Sequence, residues 1–234
     1  MSFYTQFAET YESIFPFSAA VYGFLRRHLP LAPALVLDVG CGTGHYAGPL
    51  SQDGFTAVAV DLDAAMINYA RAHYPAVDFH VMNMLNVGTL DQSFDGVACI
   101  GNTAAHLTQT QFGEFTGVVR DVLAPGGPFI LQVMNWDYVL TETNVTFPVI
   151  EGDGDAVFYR AYRNISETQA TFATRLEVRG ETVFEGAVPL YPVRSAEIAG
   201  AAAEHGLKLV EHVGSYGGSP FDAEVFSANV MVFE

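Results

Sequence analysis

Positive charge is the scarcest feature of this chain. Ten Lys and Arg stand against 26 Asp and Glu, a formal net charge of −16 over 234 residues. A surface of that sign repels a phosphate backbone, and no local basic patch offsets it, so nucleic acid is not an expected partner. Cysteine is nearly absent: Cys41 and Cys99 stand alone, which gives no disulfide framework and fits a reducing, cytoplasmic compartment. No stretch approaches ~18 uninterrupted apolar residues and no basic start leads into an apolar run, so neither a membrane span nor a signal peptide is expected. His, Cys and acidic residues show no metal-ligand spacing, and no metal is expected. Repeats and low-complexity segments are missing too. With 50% hydrophobic and only 15% charged residues, this is a globular chain long enough for a sizeable core. The small charged fraction permits a homodimer interface without demanding one.

What is present concentrates between Leu35 and Ala47, which read L-V-L-D-V-G-C-G-T-G-H-Y-A. An apolar run with the look of a buried strand ends in Asp38, and Gly40, Gly42 and Gly44 follow at once. Glycines at that spacing let the backbone turn sharply and press on a ligand, because a Cβ would fill the ligand's space. A helix starting near Gly44 aims free N–H groups at the same spot. Two cofactor classes suit such a loop. A dinucleotide would place its pyrophosphate against the glycines. Asp38 would then lie beside a doubly anionic group, a costly arrangement in a half-buried site. S-adenosylmethionine carries a sulfonium and an ammonium instead, both suited to a carboxylate at the strand end. Asp38 therefore favours the sulfonium cofactor over a nicotinamide one.

Asp38 to Gly44, D-V-G-C-G-T-G, resembles the first motif of the class I S-adenosylmethionine-dependent methyltransferases without a gap. Later segments extend the resemblance. Ala57 to Asp61 is a second apolar strand ending in an acid, and Leu62 follows it. Phe79 to Met84 occupies the third motif, with Met82 and Asn83 where the family usually has Gly-Asp. Ser93 to Ile100 looks like the family's strand entered through Phe-Asp, and Ala124 to Gly127 like its turn into the fifth strand. The resemblance implies a doubly wound, mostly parallel seven-stranded α/β sheet and S-adenosyl-L-methionine as cofactor, with S-adenosyl-L-homocysteine as product. It implies cofactor contacts from Tyr11, Asp38, Gly40, Gly42, Gly44, Asp61, Leu62, Met66, Asn83, Met84 and Gly101. Asp61 would take the ribose hydroxyls, Leu62 would pack on the adenine, and the Asn83 carbonyl oxygen would accept from the adenine amino group. Ile100 to Leu107, then Val133 to Leu140, resemble the glycine/sarcosine N-methyltransferase branch and related small-molecule enzymes. So does the opening F-Y-x-x-F-A-x-x-Y at Phe3 to Tyr11, where a tyrosine helps close over the cofactor.

The rest of the chain organises around that core. Residues 3–28 carry apolar positions at helical spacing, broken at Pro16, and suggest an N-terminal helical lid over 1–30. Strands and helices alternate from Leu35 to Met134, the signature of a parallel sheet with crossover helices, so 31–144 reads as the cofactor-binding core. Asp63 reads as a helix N-cap, and Thr108-x-x-Gln111 as a capping box. Beyond residue 145, alternating runs separated by polar breaks indicate an antiparallel β insertion over 145–193. A last helix from Ser195 to His205, capped by Gly206, and strands near 207–213 and 225–233 complete the sheet over 194–234.

Methyl transfer is an in-line displacement on a strong electrophile, so positioning in a dry site supplies most of the rate. A small-molecule amine, or less readily an oxygen, is the expected acceptor. Asn102, His106 and Asn135 are candidates to orient it or take its proton. Trp136, Tyr138, Tyr159, Tyr162 and Tyr191 are aromatic groups available to a cation. Each has an ordinary structural reading as well: Asn102 as a turn residue, His106 as a structural donor, Trp136 and Tyr138 as core. Arg160, Arg163 and Arg175 could hold a substrate carboxylate or simply be solvated. A binding protein that senses S-adenosylmethionine without turnover is the alternative from another class.

Overall fold

The computed structural model describes residues 11–234. Phe3, Phe7 and most of the expected N-terminal lid lie outside the described residues. Within them, the helical stretch is broken at Pro16 as expected, giving α1 (Tyr11–Ile14) and α2 (Ala19–His28). Pro16 lies between them, where its ring and missing N–H end the first helix, and Ser18 caps the second.

A regular alternation follows: β1 (Leu35–Val39), α3 (Ala47–Gln52), β2 (Thr56–Asp61), α4 (Ala64–His73), β3 (Asp78–Val81), β4 (Gly96–Cys99), α5 (Gln109–Val122), β5 (Phe129–Met134) and the short α6 (Trp136–Val139). The Asp63 carboxylate accepts from the N–H groups of Ala65 and Met66, and Thr108 with Gln111 forms the expected capping box. Five strands then build a separate sheet: β6 (Val145–Thr146), β7 (Ile150–Gly152), β8 (Ala156–Arg163), β9 (Ala170–Val178) and β10 (Glu181–Leu190). The chain ends with α7 (Ser195–Glu204), β11 (Leu209–Val213) and β12 (Ala228–Phe233).

The main sheet has seven strands in the order β11-β12-β5-β4-β1-β2-β3. β12 runs antiparallel to both its neighbours, and β1 to β5 are parallel. This is the doubly wound α/β sheet expected from the sequence. Its strands are apolar almost throughout because helices cover both faces. One face packs Phe112, Phe115, Phe129 and Phe233, the other Phe24, Phe55, Ile67 and Phe79. Strand order reverses between β1 and β4, and a ligand crevice opens at the carboxyl ends of the strands at such a reversal. The antiparallel sheet sits over that end. Tyr162 and Leu190 bury into the main core, and Tyr191 N–H donates to Ala105 O (2.7 Å). Ile14 of α1 packs with Phe158, Leu176 and Phe184 in a third, smaller cluster.

Both cysteines are free and buried. No described helix is long and apolar enough to cross a membrane.

Candidate functional site

The glycine loop is shaped by two different demands. All three glycines adopt positive φ, +73° at Gly40, +55° at Gly42 and +79° at Gly44, where an L side chain is strained. A methyl group at Gly40 would overlap the Thr103 side chain, and one at Gly44 would come within 2.7 Å of Phe79. Those two are bare because the protein packs against them. Gly42 is different: its nearest neighbour would be the Tyr11 ring at 3.8 Å. It is the glycine whose bareness opens toward ligand space, and Gly44 borders neither of the cavities described below.

Two carboxylates frame the loop. Asp38, at the end of β1, is only 6% exposed. Burial pushes its pKa up to about 7, with nearby Asp61 adding to the shift and His45 opposing it. Asp61 ends β2; its Oδ2 accepts from Gly42 N–H (2.9 Å) and its Oδ1 from Asp63 N–H (2.8 Å). Burial raises its pKa too, against those backbone hydrogen bonds. A buried Asp38 and a partly buried Asp61 at one loop make a place for a cation, since neither carboxylate has an ion-pair partner among the described residues.

Two adjoining cavities occupy the crevice. The first, of about 470 Å³, is bordered by Asp38, Gly40, Gly101, Asn102 and His106 among others. The second, of about 300 Å³, is bordered by Gly42, Asp61, Leu62, Met66, Asn83 and Met84. Tyr11, Gly40, Gly101, Thr103 and His106 border both. The structure thus brings together every cofactor residue expected from the resemblance except Gly44. Leu62 is 72% exposed at the rim of the second cavity. The Asn83 carbonyl oxygen already accepts from Leu85 N–H (3.0 Å), so one lone pair is spent on capping the turn that follows.

The acceptor residues divide less evenly. Asn102 borders the first cavity, with its backbone in the left-handed region (φ 63°). Its Oδ1 accepts from Met134 N–H (2.9 Å) and its Nδ2 donates to the Tyr162 hydroxyl (3.2 Å), so it braces the site. His106 lies against both cavities, and burial holds its pKa below the ordinary histidine value. Its imidazole is neutral at pH 7 and able to accept a proton. Trp136 corrects its expected place in the site wall. It is fully buried, stacks on Tyr162 at 5.1 Å, and packs behind that ring rather than on the cavity. Tyr138 also borders neither cavity; it packs edge-on against Phe226. An aromatic after a strand end had two outlets: Tyr162 of the second sheet covers Trp136, while Phe226, in the loop before β12, takes Tyr138. Asn135 is spent as well, donating to Asp222 O (2.9 Å) and Val225 O (2.8 Å). Tyr159 pairs with Glu177 (3.3 Å), and neither it nor Tyr191 borders a cavity.

Four residues enter the site that the motifs did not single out as its parts. Gln132 lies in the middle of β5, where its Oε1 accepts from Gly101 N–H (2.8 Å) and Asn102 N–H (3.2 Å). A buried amide in an apolar strand must find partners, and that rule could have marked it from F-I-L-Q-V-M alone. Tyr216, on the loop after β11, borders the first cavity and has no sequence signal. Glu12 of α1 accepts from the Thr43 hydroxyl, and its Oε1 lies 3.2 Å from His45 Nδ1. Thr103 fills the space left by Gly40. Of the three arginines, only Arg160 borders a cavity; Arg163 contacts Thr146 and Arg175 lies over Tyr159 beside Glu177.

Comparison with known proteins agrees with this geometry. Residues 36–127 match a methyltransferase domain. Glycine N-methyltransferase of Rattus norvegicus is 33% identical over 142 residues, covering 53% of this chain and 47% of the relative. The chain therefore spans about half the length of the curated relatives it matches. Among solved structures, the CcbJ methyltransferase of Streptomyces caelestis superposes with a TM-score of 0.83 at 22% identity, covering 100% of this chain and 98% of that one. An S-adenosylmethionine-dependent methyltransferase of Clostridium acetobutylicum ATCC 824 gives 0.82 at 16% identity, covering 99% and 98%. The glycine loop, its two acids, the sheet order and these likenesses converge: the chain has the fold of the class I S-adenosylmethionine-dependent methyltransferases, with a methyltransferase domain match over residues 36–127.

Proposed function

We propose that this protein transfers a methyl group from S-adenosylmethionine to a nitrogen, or an oxygen, of a small molecule in the cytoplasm. The observation that carries the reading is the pair of acids at the glycine loop, Asp38 buried and Asp61 partly buried and bonded to the open Gly42. Nicotinamide chemistry fits poorly, because a diphosphate at this loop would meet the Asp38 carboxylate. The adenosine half of the cofactor fits the second cavity, with Asp61 toward the ribose and Leu62, Met66 and Met84 about the adenine. The methionine half fits the first cavity beside Asp38. The bound cofactor supplies an electrophilic methyl group on a positively charged sulfur.

The chain's own residues do the rest. Gln132 fixes the backbone of Gly101 and Asn102 by two hydrogen bonds, and Asn102 fixes Tyr162. The wall facing the acceptor is thereby rigid, which positional catalysis demands. An amine must be neutral to attack, and His106, neutral at pH 7, is placed to take the proton it sheds. Residues 31–144 hold the cofactor, 194–234 complete the sheet, and 145–193 roof the site and select the acceptor. The 1–30 segment acts as the lid, with Tyr11 as its described contact. Similarity to glycine N-methyltransferase supports nitrogen as the acceptor atom.

Calorimetry with S-adenosylmethionine and with NAD tests the cofactor. Binding of NAD with no binding of S-adenosylmethionine ends the reading. Incubation with methyl-labelled cofactor and a metabolite extract tests turnover, and label in a small product separates an enzyme from a sensor.

A further inference from the structure

Arg160 is the one arginine or lysine among the described residues bordering either cavity. It lies on β8, paired with Thr174 of β9. Its guanidinium stands 5.1 Å from the Phe147 ring centre and 5.8 Å from that of Phe15. One hydrogen bond, from Nη2 to Pro148 O at 3.3 Å, is recorded for its side chain, and Nε is buried with no partner among the described residues. Arg160 as a whole is half-buried, and a charge partly withdrawn from water gains from an anionic partner. In a chain with 26 acids against ten cations, an arginine in a cleft with no acid paired to it among the described residues is conspicuous.

The rest of the wall narrows what its partner carries. Phe15, Phe147, Phe158, Phe172 and Tyr162 border the same cavity, so much of the surface offered to an acceptor is aromatic. An acceptor the size of glycine would leave those rings bare. A single guanidinium also balances a single negative charge. A phosphate dianion would leave a surplus in a cleft that already holds Asp38.

Resting on the methyltransferase reading above, we propose that the acceptor is an amine bearing one carboxylate and a large apolar body, as in a hydrophobic amino acid. Its carboxylate pairs with Arg160 while its body lies on the aromatic wall. The Arg160 guanidinium meets the carboxylate through N–H groups that Pro148 O does not take, a charge-assisted contact stronger than a neutral hydrogen bond.

The test uses the full chain saturated with S-adenosylhomocysteine. Titration by calorimetry compares L-phenylalanine, L-tryptophan, L-leucine and 4-aminobenzoate with their amides and with glycine. At least one acid should bind about tenfold or more tighter than its amide and than glycine. Arg160→Gln should erase that preference, Arg160→Lys should restore part of it, and Arg163→Gln, on the same strand outside the cavity, should keep it. S-adenosylhomocysteine affinity should stay within about twofold throughout. Equal binding of acid and amide, no millimolar binding by any acid, or an Arg160→Gln protein that keeps the preference each overturns the proposal. A loss confined to S-adenosylhomocysteine affinity in Arg160→Gln also overturns it, because the arginine then serves the cofactor's own carboxylate. Should Arg160→Gln lose its thermal transition, the acid-against-amide comparison on the unaltered protein and the Arg160→Lys result decide. Failure of the unaltered protein to bind S-adenosylhomocysteine would instead sink the methyltransferase reading.

Discussion

At the scale of single residues, Asp38 gives the sharpest consequence. With its pKa held up to about 7 by burial, and by Asp61 nearby, the Asp38 carboxyl carries a proton for part of the time at neutral pH. The raised value means that Asp38 favours the folded, ligand-free protein most in acid, below its ordinary value of 3.8. That contribution is lost as pH climbs through about 7. A cationic ligand needs the ionised form, so S-adenosylmethionine affinity should fall up to about tenfold from pH 7 to pH 6. In Asp38→Asn the dependence should vanish and binding at pH 8 should weaken by about 1–2 kcal/mol. Calorimetry across that range checks both; a flat profile in the unaltered protein would remove Asp38 from the cation's side. Trp136 marks the opposite kind of residue. Buried completely behind Tyr162, it should cost about 3–5 kcal/mol on replacement by Ala in urea unfolding. Tyr138→Ala, at the partly exposed neighbour, should cost far less. From sequence the two were equivalent, because a strand-end aromatic turns to the site or to the core according to what covers it. What covers Trp136 is a sheet formed from residues 145–190, distant in the chain.

At the scale of elements, most of what is regular was legible locally. Asp63, Thr108 with Gln111, and Gly206 at φ +78° punctuate helices through contacts within a few residues. The Arg179-Gly180 turn between β9 and β10 has positive φ at both residues, the geometry of a two-residue hairpin. What could not be read is contact between elements. Glu12 looked unremarkable in α1, yet its carboxylate holds Thr43 and His45 of the glycine loop. Burial works against its charge, but the hydrogen bonds from His45 and Thr43 prevail and its pKa lies below the ordinary glutamate value. The latch therefore persists above about pH 4.5 and fails in stronger acid. Through it α1 lies across the cofactor loop while packing on the second sheet through Ile14. Glu12→Ala should speed dissociation of S-adenosylmethionine several-fold in stopped-flow. Urea unfolding should move by no more than about 0.5 kcal/mol, since the residue is half exposed and outside the core. An unchanged dissociation rate would separate α1 from the gating of the site.

At the scale of the whole molecule, sequence and structure meet over the stretch that makes the cofactor site. The match to a methyltransferase domain spans 36–127, within the segment where the motifs are contiguous enough to recognise. The acceptor wall comes from α1, the loop after β4, β5, the antiparallel sheet and the loop after β11. No motif is written by residues so far apart, and so Gln132, Tyr216 and the choice among three arginines stayed hidden. This assembly has a thermodynamic consequence. A ligand that enters the cleft touches β1, β2, the loop after β4 and α1 together, and leaves the unfolded chain alone. Its binding energy then adds to the stability of the fold. At a hundred times its dissociation constant, such a ligand adds about 2.7 kcal/mol. For a chain of this size that corresponds to a rise of roughly 5–11 °C in Tm. S-adenosylhomocysteine should produce a rise of that order in differential scanning calorimetry, and NAD at equal concentration should produce none. The distinction is electrostatic rather than steric, because either molecule brings an adenosine to Asp61 and only the dinucleotide brings phosphates to Asp38. A matching rise with NAD would mean that the buried Asp38 tolerates a diphosphate beside it, and the charge argument for this site would fail.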